Sequence, residues 1–123
     1  MATHTPGGWK KSPAELVERF MTVVAEYPAL ERRQMFGYPA AFANGHLVTS
    51  LHEGRWIIRL PDAGLAELAM LGGTRFEPMP GRPMRGYLAF PPDMVANPGS
   101  LGPWLERAVA HVLQMPPKVK AKR

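Results

Sequence analysis

Apolar residues recur at helical spacing early in the chain: Leu16, Phe20, Val23, Val24 and Tyr27 share one face of a predicted helix. Ser12-Pro13-Ala14-Glu15 supplies its start, with Ser12 as cap, Pro13 at the first helical position and Glu15 closing a capping box. Glu15 and Arg19 form a supporting i,i+4 pair, and Pro28 stops the helix. The period then changes to two. Asn44-Gly45 predicts a type I′ hairpin between strands Tyr38–Ala43 and His46–His52, and Glu53-Gly54 joins the second strand to one over residues 55–60. Strict alternation across these turns pairs Phe42 with Leu47, Leu51 with Trp56 and Leu47 with Leu60. It places Tyr38, Phe42, Leu47, Thr49, Leu51, Trp56, Ile58 and Leu60 on the core face. The mixed outer face receives Ala41, Ala43, His46, Val48, Ser50, His52, Arg55, Ile57 and Arg59.

Asp62 caps a second predicted helix through Leu65, Leu68 and Leu71, ended by Gly72-Gly73. Strands over residues 74–77 and 85–90 follow, around a Pro- and Gly-rich connection at 78–83. Leu101, Trp104, Leu105, Ala108, Val109 and Val112 then make an amphipathic helix with Ser100 as its cap. The order α-β-β-β-α-β-β-α implies an α+β fold: a five-stranded antiparallel sheet with helices packed on one face. A single domain over residues 12–117 is expected, between a flexible segment 1–11 and a basic, disordered tail 118–123.

Composition narrows the classes. The chain of 123 residues is 46% hydrophobic and 20% charged, which suits one globular domain. It has no cysteine, so disulfides, thiol catalysis and thiolate metal sites are excluded. No apolar run approaches a membrane span and residues 1–11 carry no signal-peptide core, so a cytoplasmic protein is expected. The net charge of +5 points towards nucleic acid until it is located. Between Ser12 and Pro117 nine arginines face ten carboxylates, and every lysine lies at residues 10–11 or 118–123. The body is thus close to neutral, which argues against a dedicated DNA groove.

Chemistry-bearing patterns are sparse. His46 and His52 stand six residues apart on one strand, about 20 Å at 3.3 Å per residue, too far to share a metal. Ser50 and His52 share a strand face, but no carboxylate orients the histidine and no oxyanion turn follows. No phosphate-binding glycine loop occurs. Two features survive. Arg82, Arg85 and Tyr87 lie on a rigid connection entering a strand, and if that strand neighbours the one over residues 55–60, Arg59 could converge with them on an anion. The competing reading pairs these arginines with Glu53, Glu77 or Asp93. The second feature is the half-apolar outer sheet face around Ala41, Val48, Ser50 and Ile57, which suits a homodimer or partner contact. Lys118, Lys120, Lys122 and Arg123 form a tail able to contact phosphates.

Arg33-Gln34-Met35-Phe36-Gly37 and Ala41-Phe42-Ala43-Asn44-Gly45-His46 resemble the opening of the TfoX N-terminal domain family. The likeness continues through Arg59-Leu60-Pro61, Phe76-Glu77-Pro78-Met79-Pro80-Gly81-Arg82-Pro83-Met84-Arg85-Gly86-Tyr87 and Trp104, covering roughly residues 33–118. Tyr38-Pro39 departs from it, because many relatives carry a second glycine there. The resemblance implies an α+β fold with an antiparallel sheet, and it carries no catalytic or ligand residues. The regulator of natural competence that names the family has a further C-terminal helical domain, so a competence role is not expected of these residues alone. The leading expectation is a small non-enzymatic binding or regulatory domain without cofactor, acting through protein contacts. Nucleic-acid association through the tail and a small-anion site at the arginines are the alternatives.

Overall fold

A computed structural model of the chain describes residues 10–78 and 81–117. Its elements run α1 (Ala14–Val24), β1 (Glu31–Met35), β2 (Tyr38–Ala43), β3 (His46–His52), β4 (Arg55–Arg59), α2 (Asp62–Met70), β5 (Thr74–Arg75), β6 (Tyr87–Ala89), α3 (Pro92–Ala96) and α4 (Gly102–Leu113). The fold is α+β, and its sheet is antiparallel with six strands rather than five, in the order β1-β2-β3-β4-β6-β5. The strand absent from the sequence reading is β1, whose residues Glu31 to Gln34 are all exposed. An edge strand open to water on both faces carries no apolar alternation, and its charges discourage further pairing.

Two-residue turns set the sheet. Asn44 and Gly45 take φ of 55° and 79°, and Phe36 and Gly37 take 56° and 84°, closing Met35 against Tyr38. These are paired left-handed residues, as a type I′ hairpin requires. Each of the first three helices is entered from a proline, Pro13, Pro61 or Pro91, with φ between −58° and −68° and extended ψ. The proline presets the turn into the helix, and no side-chain cap forms. Ser12 therefore precedes α1 without capping it, and Asp62 is the first residue of α2 rather than its cap. Ser100 lies in a 3-10 turn, Pro98–Leu101, and its hydroxyl donates to the Asn97 and Met94 carbonyls at 2.7 and 3.2 Å.

The main core lies between the sheet and the helices. Leu16, Phe20 and Val24 of α1, Leu68 of α2, and Trp104, Leu105, Ala108 and Val112 of α4 bury against Ala41, Ala43, Val48, Leu51, Trp56 and Ile58. This corrects the expected faces. The pairing is Ala41 with Thr49 but Phe42 with Leu47, so Val48 is an extra residue in β3. A one-residue bulge inverts alternation on one side of it. Thr49, Leu51, Trp56 and Ile58 keep their predicted side, whereas Phe42 and Leu47 turn to the other face and Ala41, Ala43 and Val48 go under the helices. Arg107 clips α4 to α2 by donating to both carboxylate oxygens of Glu67, at 2.9 and 3.1 Å, while stacking 5.0 Å from the Trp104 ring.

Helix α2 ends in a Schellman arrangement, with Gly73 N–H on the Leu68 carbonyl at 2.8 Å, Gly72 N–H on the Ala69 carbonyl at 3.1 Å, and Gly72 at φ 109°. A Cβ at Gly73 would stand 2.8 Å from Leu68 Cγ and 2.9 Å from the Leu68 carbonyl oxygen. Gly73→Ala is therefore expected to cost about 1–3 kcal/mol in urea unfolding, because the obstructing atom is backbone in a hydrogen-bonded turn.

Candidate binding surface on the outer sheet face

The face away from the helices is closed by the chain itself. Phe76 and Met84, held together by a Met84 N–H to Phe76 carbonyl bond of 2.9 Å, fold over Ala40, Leu47, Ile57, Tyr87 and Ala89. This closure overturns the partner face proposed from alternation. Ala41 and Val48 are 0% exposed under the helices, and Ser50 and Ile57 are 2% and 0% exposed under the second cluster. The covering residues come from the connection between β5 and β6, whose Pro- and Gly-rich composition carries no period that reveals what it packs against.

The four residues of the suggested anion site are only partly brought together. Arg59 and Tyr87 are register partners on the neighbouring strands β4 and β6. Arg59 Nη1 donates to the Tyr87 hydroxyl at 3.2 Å with its guanidinium 5.4 Å from that ring, and the hydroxyl donates to the Leu47 carbonyl at 3.1 Å. That arrangement locks Arg59 into the sheet. Arg82 and Arg85 are exposed, and no ion pair or hydrogen bond among the described residues draws them towards Arg59. They do not pair with the expected carboxylates either. Glu77 takes Arg75 at 3.5 Å, and Glu53 accepts from the Lys10 backbone N–H at 3.0 Å. Lys118, Lys120, Lys122 and Arg123 lie outside the described residues.

Ser50 and His52 share the outer face as read, but Ser50 is shielded and His52 is 5% exposed between the rings of Tyr38 and Phe76, at 5.0 and 5.1 Å. The cavity above them, walled by Met35, Phe36, Phe76 and Met84 among others, is about 10 Å³, too small for a substrate. His46 instead reaches the Pro116 carbonyl, 2.8 Å from Nε2. Among the described residues, no three His, Asp or Glu side chains gather as a metal-ligand set. Burial pushes the His52 pKa below its ordinary 6.5, with Arg55 adding to the shift and Glu53 opposing it. The unfolded chain therefore binds this proton more readily than the native one. The contribution of His52 to stability is expected to be lost as pH falls below its ordinary 6.5, a trend that His52→Gln should flatten in thermal unfolding.

The β1–β2 hairpin tip lies at the margin of this face. Phe36 is 59% exposed and holds φ 56°, a left-handed conformation that bulky side chains avoid. Half-buried Met35 and Met84 adjoin it across the small cavity. On the same sheet face Arg33 lies 5.0 Å from the half-buried Phe42 ring and 3.3 Å from Glu31. Arg82 and Arg85 flank Met84 along the chain. The result is an exposed aromatic ring at a hairpin tip beside two half-buried methionines. In the sequence, Met35-Phe36-Gly37 carries a single turn residue, Gly37, and no polar partner before it to mark the hairpin.

The sequence profile of the TfoX N-terminal domain matches residues 22–112, from the last turn of α1 to the last turn of α4. No curated protein sequence matches the chain.

Proposed function

The chain belongs to the TfoX N-terminal domain family, and from that premise we propose that it is a small non-enzymatic regulatory domain that binds a protein partner at the Phe36 hairpin tip. The observation that carries this is Phe36 itself. A phenylalanine kept 59% exposed in a left-handed conformation incurs both a hydration cost and backbone strain of order 1–3 kcal/mol. Such strain clusters at ligand clamps, and exposed aromatics beside arginines are the residue types that dominate protein interfaces. With Arg33 three positions before Phe36 on its strand, and Arg82 and Arg85 exposed on either side of Met84 in the chain, the fitting partner is a segment carrying an apolar side chain between carboxylates.

A peptide-display selection on the full chain, counter-selected on Phe36→Asp, tests this reading. Enriched peptides should combine Asp or Glu with a large apolar residue and should weaken at least tenfold against Arg82→Glu/Arg85→Glu. A selection in which no clone distinguishes the parent from Phe36→Asp sinks it.

A further inference from the structure

We infer that the cleft between α1, the β3–β4 turn and α3 binds a small organic acid, its carboxylate between Arg19 and Arg55 and its apolar part against Phe90 and Val95. The cleft has a volume of about 380 Å³ and is lined by Arg19, Arg55, Thr74, Phe90, Val95 and Ala96 among others. That volume falls at the lower end of the roughly 300–1,000 Å³ usual for small-molecule sites, and the mixture of apolar walls with a few polar groups is their usual composition. Arg19, Arg55 and Thr74 are the residues with polar side chains that line it, and no Asp or Glu is among the described residues lining it.

Arg19 is the decisive residue. Its i,i+4 neighbour Glu15 is available on the same helix, yet the expected pair does not form. Arg19 turns to α3 instead, where Nη1 donates to the Val95 carbonyl at 3.1 Å. That bond uses one of five N–H donors and fixes the plane of the group, leaving donors for an anion. Holding an arginine in place before the ligand arrives removes part of the entropic cost of binding. Arg55 is exposed at the start of β4 and takes no ion pair among the described residues, so it can close on the same anion. The apolar wall argues for an acid with a hydrocarbon body over inorganic phosphate. This site is independent of the Phe36 surface.

Titration calorimetry and thermal shift on the full chain decide it, with octanoate as probe and inorganic phosphate and octanol as separate arms. Octanoate is expected to bind and to raise the unfolding temperature, with phosphate and octanol each at least tenfold weaker. Arg55→Ala, a surface change, should weaken octanoate at least tenfold, and so should Ala96→Trp, which fills the cleft. Arg19→Met should do the same, and Arg19→Lys should recover part of the loss. Absence of octanoate binding overturns the inference. So does binding that survives Arg55→Ala and Ala96→Trp, and so does phosphate binding as well as octanoate.

Discussion

Trp56→Ala is expected to destabilise the domain by about 3–5 kcal/mol, a large share of the roughly 5–15 kcal/mol available to a protein of this size. Trp56 is 0% exposed, and its ring packs 5.1 Å from that of Phe20, joining α1 to β4. Its indole N–H donates to Thr49 Oγ1 at 2.9 Å, and that hydroxyl donates onward to the Ile57 carbonyl at 2.6 Å. The chain of bonds satisfies a buried donor inside an otherwise apolar core, which makes it expensive to leave half-made. Thr49→Val should therefore cost about 1–3 kcal/mol, because it strands the indole N–H. The same change in a Trp56→Phe background should cost less, since no indole remains to be stranded. Denaturant unfolding followed by circular dichroism on the four proteins of this cycle gives the coupling. Equal costs of Thr49→Val in both backgrounds would show that the indole bond contributes nothing.

The Trp56–Thr49 link also shows what alternation could and could not reveal. Both residues were expected on the core face, and both are there, because β4 pairs with the C-terminal half of β3 without irregularity. Val48 is the position where the reading broke. A bulge is a difference in pairing between two strands, and no pattern within either strand announces it. Its consequence reached the functional reading directly, since the supposed open patch of Ala41, Val48, Ser50 and Ile57 became two buried layers. Helix α3 escaped for a different reason: its five residues, Pro92–Ala96, are too few for a helical period to show.

Charge behaved in the same way. Arg59 and Tyr87 meet because the pairing of β4 with β6 carries them into register, a neighbourhood that the sequence offered only as a condition. Arg19 and Arg55 could not. They stand on α1 and β4, and only the packing of α1 and α3 around the β3–β4 turn makes them neighbours of one cleft. The Glu15–Arg19 pair was the local expectation, and a carbonyl 76 residues away won instead. Exposed i,i+4 pairs contribute only about 0.3–0.5 kcal/mol, so a tertiary acceptor readily displaces them.

Phe36→Asn is expected to move stability and binding in opposite directions. At φ 56° the native residue bears the steric cost of the left-handed region, whereas asparagine tolerates it, as Asn44 at φ 55° in the next hairpin illustrates. Phe36 does contribute to the cavity wall beside Met35 and Met84, so part of that gain is lost with its packing. The net expectation is an increase of about 0.5–1 kcal/mol in unfolding free energy, seen as a rise of a few degrees in melting temperature. Binding of a selected acidic-apolar peptide should fall about 30-fold, the effect of removing an interface anchor worth about 2 kcal/mol. A residue that serves only the fold would lower both quantities when replaced. Loss of more than about 1 kcal/mol of stability would mark Phe36 as a core side chain, and unchanged peptide affinity would move the surface elsewhere. A more stable domain that no longer binds is the signature of strain held in the free protein for the sake of its partner.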